Sequence, residues 1–228
     1  MKRFIWGSVS VAVVAVVVVA VGFAFHSDTY RPPAGTVVAK NIGTVSYQGK
    51  SYRHVHLNLA TYPDSAGKQP DGKLVHPNGN PDWPAYAPSN EFQVPANSYV
   101  TMTIKQYDTG EPLNNPWFAK VVGTIGGVAT IDGKRATHAN ADAIGHTFTL
   151  RGAPGVAPNF FVNVPLPPLS EEESANDAPH PRVVTFSFIS GPKGVYVWNC
   201  EFPCGSMVAG FGGPMSAYGF MTGHLNVV

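Results

Sequence analysis

Along most of this chain apolar side chains recur at every second position, in runs of about five to nine residues. Val100, Met102 and Ile104 form one such run, Phe148 and Leu150 another, and Val184, Phe186 and Phe188 a third. A period of two places one set of side chains on one face of an extended strand. The pattern predicts strands over Thr36–Ile42, Gly43–Tyr47, Tyr52–Ala60, Ser98–Gln106, Phe118–Val122, Gly127–Ile131, His146–Arg151, Arg182–Ile189, Val195–Cys200 and His224–Val228. The separators are turn formers, such as Tyr47-Gln48-Gly49-Lys50 and Gly191-Pro192-Lys193-Gly194. With no amphipathic helix of ordinary length and no internal repeat, the expectation is an all-β fold.

Three stretches break the alternation. Met1-Lys2-Arg3 leads into an almost unbroken apolar run from Phe4 to Phe25. About 22 residues at ~1.5 Å each would cross the ~30 Å hydrocarbon core, with Lys2 and Arg3 kept on the cytoplasmic side. A single-pass anchor over 1–25 is expected, with a cleaved signal peptide as the alternative, Ala20-Val21-Gly22 offering small residues for cleavage. A linker over 26–35 would then join it to one domain over 36–228, held outside the cytoplasm. Tyr62–Asn90 and Gly152–Pro181, rich in Pro, Gly and Asn, are expected to be long surface loops.

Charged residues make up 13% of the chain and the formal net charge is +1, so no electrostatic field gathers nucleic acid. Two cysteines, Cys200 and Cys204, follow the strand Val195–Cys200. Outside the cytoplasm such a pair is a disulfide or a soft-metal site.

Four segments in order carry a resemblance. They are Val94–Ile104; Asn140–Leu150, which contains His146; Val184–Phe188 followed by Gly191–Cys200; and Met221–Val228. Together they resemble the skeleton of a cupredoxin, the copper-binding Greek-key sandwich shared by blue-copper proteins and cytochrome c oxidase subunit II. In that likeness Val94–Ile104 is the edge strand opening the copper-binding half. The second segment supplies a histidine, the third delivers the thiolate, and the fourth carries the axial methionine into the last strand. The resemblance implies a bound copper, electron transfer to a redox partner such as a cytochrome or terminal oxidase, and ligands His146, Cys200, Cys204 and Met221. It implies a carrier or an oxidase-associated subunit rather than an enzyme by itself.

The sequence also departs from the family. No histidine lies between Cys200 and Met221, and Pro203-Cys204-Gly205 stands near the expected imidazole. Cys-x-x-x-Cys is the spacing of the dinuclear copper centre of oxidase subunit II. Glu201, however, falls one place earlier than that family's glutamate, and Val208 stands where its histidine would be. Three arrangements stay open. The first uses His146, Cys200, Cys204 and Met221, with Met207 or Met215 in reserve. In the second, His224 folds back as the missing imidazole. In the third, Cys200 and Cys204 form a disulfide and the domain is a metal-free structural or ligand-binding ectodomain.

Other features carry less. His54-Val55-His56 puts two imidazoles on one face of a strand and would need a third ligand such as His76 to hold a metal. The small and apolar loop Gly205–Phe220 is a candidate docking collar for a redox partner or a loop tucked against the core. Glu171–Glu173 reads as a solvated loop, and nothing in the chain resembles a nucleophile triad, a phosphate-binding glycine loop or a paired-carboxylate site.

Overall fold

The structure, a computed structural model, describes residues 11–23, 35–63, 83–110, 113–174, 180–204 and 213–228. Thirteen strands dominate: β1 (Thr36–Val38), β2 (Lys40–Tyr47), β3 (Lys50–Tyr62), β4 (Ala85–Ala87), β5 (Glu91–Val94), β6 (Tyr99–Gln106), β7 (Ala129–Ile131), β8 (Lys134–Ala136), β9 (His146–Arg151), β10 (Phe161–Leu166), β11 (Arg182–Ile189), β12 (Gly194–Asn199) and β13 (Thr222–Val227). They form two sheets. One runs β1-β5-β13-β12-β9-β10, and the other runs β2-β3-β6-β11-β7-β8 with β4 paired to β3.

The alternation read from the sequence is what closes the sandwich. Phe148, Leu150, Tyr196, Trp198, Leu225 and Val227 are buried on the first sheet, and Val55, Leu57, Val100, Met102, Ile104, Val184, Phe186 and Phe188 on the second, within one core. Trp198 stacks between Phe92 and Phe148, each ring centroid 5.4 Å away. Its indole N–H donates to the Asn90 carbonyl, so the ring is buried without an orphaned donor.

Several expectations are corrected. Val94–Ile104 is not an edge strand: β6 lies inside its sheet, parallel to β3 and antiparallel to β11. Gly152–Pro181 is not one loop, because β10 within it is buried and pairs with β9 along its whole length. Phe118–Val122 forms only isolated bridges, Lys120 to His138 and Val122 to Asn163. Glu171–Glu173 lie in a short helix, Glu171–Ser174. The Ser170 side chain and Glu173 cap each other's backbone N–H groups there.

Residues 11–23 are helical and exposed. Among the described residues no helix is long and apolar enough to cross a membrane. Met1-Lys2-Arg3, both ends of the apolar run, His76, Met207 and the first half of the Gly205–Phe220 loop lie outside the described residues.

Candidate metal centre

Strand parity brings the candidate donors together. His146 shares its face of β9 with Phe148 and Leu150, and Cys200 continues the face of β12 that carries Tyr196 and Trp198. Both side chains therefore project toward the core. β9 and β12 are antiparallel neighbours, with Asn199 opposite Thr149, so the start of β9 and the end of β12 fall at the same end of the sheet. β13 is the next strand over. Just before it, the Met221 carbonyl accepts the Cys200 N–H at 2.8 Å.

At that end His146, Cys200 and Cys204 place one ligand atom each within 4.8 Å of one another, and all three are buried. Among the described residues no other group of three potential ligands from His, Cys, Asp and Glu converges. Both cysteines are free, so the disulfide arrangement is not the one adopted. His146 Nδ1 lies 3.7 Å from Cys200 Sγ, while Nε2 lies 2.6 Å from Asp108 Oδ2. The Thr147 backbone N–H donates to Cys200 Sγ at 3.4 Å. The Thr147 hydroxyl in turn accepts the Glu201 N–H at 2.8 Å, pinning the start of the Cys-x-x-x-Cys loop to β9. The Glu201 carboxylate pairs with the Arg151 guanidinium.

The protonation states of the metal-free cluster follow from this packing. Burial pulls the His146 pKa down, but hydrogen bonds and charge from Asp108 and Cys200 outweigh it and raise it to about 10. Burial opposes ionisation of Cys200 too, yet Cys204 donates to its sulfur and His146 stands beside it, so its pKa falls well below 9.0. Cys204, donating to Cys200 and buried, is held well above 9.0. Asp108 resists desolvation through His146 and the backbone N–H groups of Gly110 and Thr109, and its pKa is lowered. The cluster thus alternates charge as carboxylate, imidazolium, thiolate and thiol.

The other candidates are placed as follows. Met221 is fully buried beside Cys200, at the head of β13. Met215 sits in the short helix Gly213–Ser216, partly buried against the core. His224 does not fold back: its Nδ1 pairs with Glu91 Oε1 at 2.8 Å on the outward side of β13. His54 and His56 bond Thr101 and Thr103 through Nε2, at 2.8 and 3.0 Å. Asp108 was not anticipated. It stands two residues past β6 and 38 positions from His146, and only the folded sandwich makes them neighbours.

No protein-family model matches the chain, and no curated protein does. Among solved structures it is similar to auracyanin B, at 13% identity over 83% of this chain and 97% of that one, with a TM-score of 0.34. It is also similar to the copper protein rusticyanin from Thiobacillus ferrooxidans, at 14% identity over 92% of each chain and a TM-score of 0.37. A rusticyanin variant gives 16% identity over 92% of this chain and 94% of that one, with a TM-score of 0.40. Both proteins are cupredoxins, the family that the four sequence segments resemble. At such distance the likeness carries no argument of its own, and the sandwich and its donors stand on this chain's residues.

Proposed function

We propose that this chain is a copper-binding electron-transfer protein whose centre is held by His146 Nδ1, Cys200 Sγ and Cys204 Sγ, with Met221 as the weak thioether. The observation that carries the reading is the convergence of three buried donors, two of them free thiols, at one end of a β-sandwich. The fit to copper is chemical: thiolate, imidazole and thioether are the donors copper prefers in electron-transfer sites, where hard cations prefer oxygen. Bound copper supplies a one-electron couple. The chain's own residues supply rigidity, because His146 opens the paired strand β9 and Cys200, just past β12, is tied by its N–H to the Met221 carbonyl, and dryness, because none of the three donors is more than 2% exposed. Rigid donors keep the geometry nearly constant when the charge of the centre changes.

We take the chain to be tethered to a membrane by residues 1–25 with 36–228 outside the cytoplasm, passing electrons to a cytochrome or terminal oxidase, as an oxidase subunit II-like component would. The basic start and the apolar run of the sequence support the tether. A tether keeps a carrier at the surface where membrane-bound partners are.

The test is reconstitution of the full chain in detergent with copper under reducing and then oxidising conditions. Stoichiometric copper by elemental analysis, with a visible thiolate-to-copper absorption band that Cys200→Ser removes, is expected. A chain that retains no metal and shows no band overturns the reading. For the tether, membrane fractions of the expressing cell should hold the protein through a high-salt wash and release it in detergent; release by salt alone overturns that part.

A further inference from the structure

Among the described residues, Asp108 is the charged side chain that hydrogen-bonds one of the three donors, His146, without being a donor itself. It comes from the opposite sheet, two residues beyond β6, and is only 7% exposed. Its position is built with care. The Leu169 backbone N–H donates to its carbonyl at 3.0 Å. Gly110 has φ +61°, and a Cβ there would lie 2.5 Å from the Gly145 Cα, so this turn can press onto the residue preceding His146 only as glycine. A buried carboxylate is costly unless it is paired, and its side-chain partner here is a single ring nitrogen, Nε2 of His146.

A metal-ligating imidazole is neutral, with one N–H and one lone pair. A carboxylate accepting the Nε2 proton leaves the lone pair on Nδ1, the nitrogen that faces Cys200. We infer that Asp108 is a positioning residue of the metal centre, fixing the His146 tautomer and ring orientation from the opposite sheet, and that its charge biases the centre toward the oxidised metal. The second effect is Coulombic. A fixed negative charge beside two thiolates favours the more positive oxidation state, and the low-dielectric interior strengthens it. The inference rests on the copper reading above.

The test compares the full-length wild type with Asp108→Asn and Asp108→Ala, each shown to be folded by near-ultraviolet circular dichroism. Asparagine can still accept from Nε2–H through Oδ1 but carries no charge, so it separates orientation from electrostatics. Two quantities are read: copper(I) affinity by competition with a chelator, and reduction potential by potentiometric titration. Asp108→Ala should lose 10–100-fold in affinity, the usual cost of removing a carboxylate behind a ligating histidine. Asp108→Asn should keep most of the affinity while its preference for the oxidised metal falls about tenfold, a rise in potential of about 59 mV for one electron.

If wild type binds copper and both variants match it in affinity and potential, this inference is overturned and the copper reading stands. If Asp108→Asn leaves the potential where it was, the electrostatic half is overturned. If wild type binds no copper, the copper reading falls and takes this inference with it.

Discussion

At the scale of single residues, the two nitrogens of His146 divide the labour of the site, one facing sulfur and the other facing a carboxylate. His146 and Cys200 were legible in the sequence because each ends an alternating run whose other members face the core. Cys204 was legible by its spacing, although whether the pair was bonded to each other was not. Asp108 was invisible, since a lone aspartate after a strand looks like any turn residue until the second sheet closes over it.

The titration of this cluster yields a prediction for the metal-free protein. His146 holds its proton up to about pH 10, where the unfolded chain gives it up near 6.5. Cys204 holds its own well beyond 9.0. Above about pH 9 the folded state therefore binds more protons than the unfolded one, and stability falls as pH rises. Cys200 works in the opposite sense, its contribution being present above 9.0 and lost as pH falls through its depressed value. Urea unfolding of metal-free protein should thus give a midpoint highest in the neutral range and declining through pH 10. A midpoint that climbs steadily from pH 7 to 10 would contradict the assignment.

At the scale of elements, the strands that sequence reading found are those with clean alternation, and those it missed have identifiable reasons. β10 contains Pro165, which argues against a strand interior, yet β10 is the edge of its sheet, where a missing N–H is harmless. Phe118–Val122 alternates like a strand but is held by isolated backbone bridges and by the Asn163 side chain. The Asn163 amide donates to the Phe118 and Lys120 carbonyls at 3.0 and 2.8 Å, and its carbonyl accepts from the Thr149 hydroxyl. Asn163→Ala should cost about 1–3 kcal/mol in chemical denaturation, because it removes the acceptor of the buried Thr149 hydroxyl and the donor to two partly buried backbone carbonyls. Thr149 precedes Leu150 on the site-bearing strand, so the same variant should also broaden the copper spectrum.

β13 has a comparable weak point. A Cβ at Gly223 would lie 2.0 Å from the Asn90 carbonyl oxygen, so β13 can approach residue 90 that closely only with glycine there. Gly223→Ala should lower the unfolding midpoint and displace Met221, two residues away. An unchanged spectrum together with a lowered midpoint would argue against Met221 as a ligand.

At the scale of the whole molecule, both sheets contribute to the centre, and the three donors close the core at one end of the sandwich. His146 joins the two cysteines only in the folded state, so copper binds that state more tightly than the unfolded chain, which keeps just the local Cys-x-x-x-Cys pair. Copper at 1,000 times its dissociation constant should therefore stabilise the fold by up to about 4 kcal/mol, raising Tm by up to roughly 10 °C for a domain of this size. Cys200→Ser should unfold at nearly the same temperature with and without copper, and differential scanning calorimetry on the two proteins makes the comparison. The all-β class was readable because burial imposes the period of two on every strand of the sandwich. The pairing order was not, because β6 reaches its place between β3 and β11 through contacts far apart in sequence.

The burial of Cys200 and Cys204 governs time as well as affinity. Neither sulfur is more than 2% exposed, so no chelator, thiol reagent or incoming ion reaches them in the closed sandwich. Exchange at this site is paced by how often that end of the fold opens, not by how tightly the donors hold. A metal seated there would leave on the timescale of local unfolding, however strong the competitor in solution.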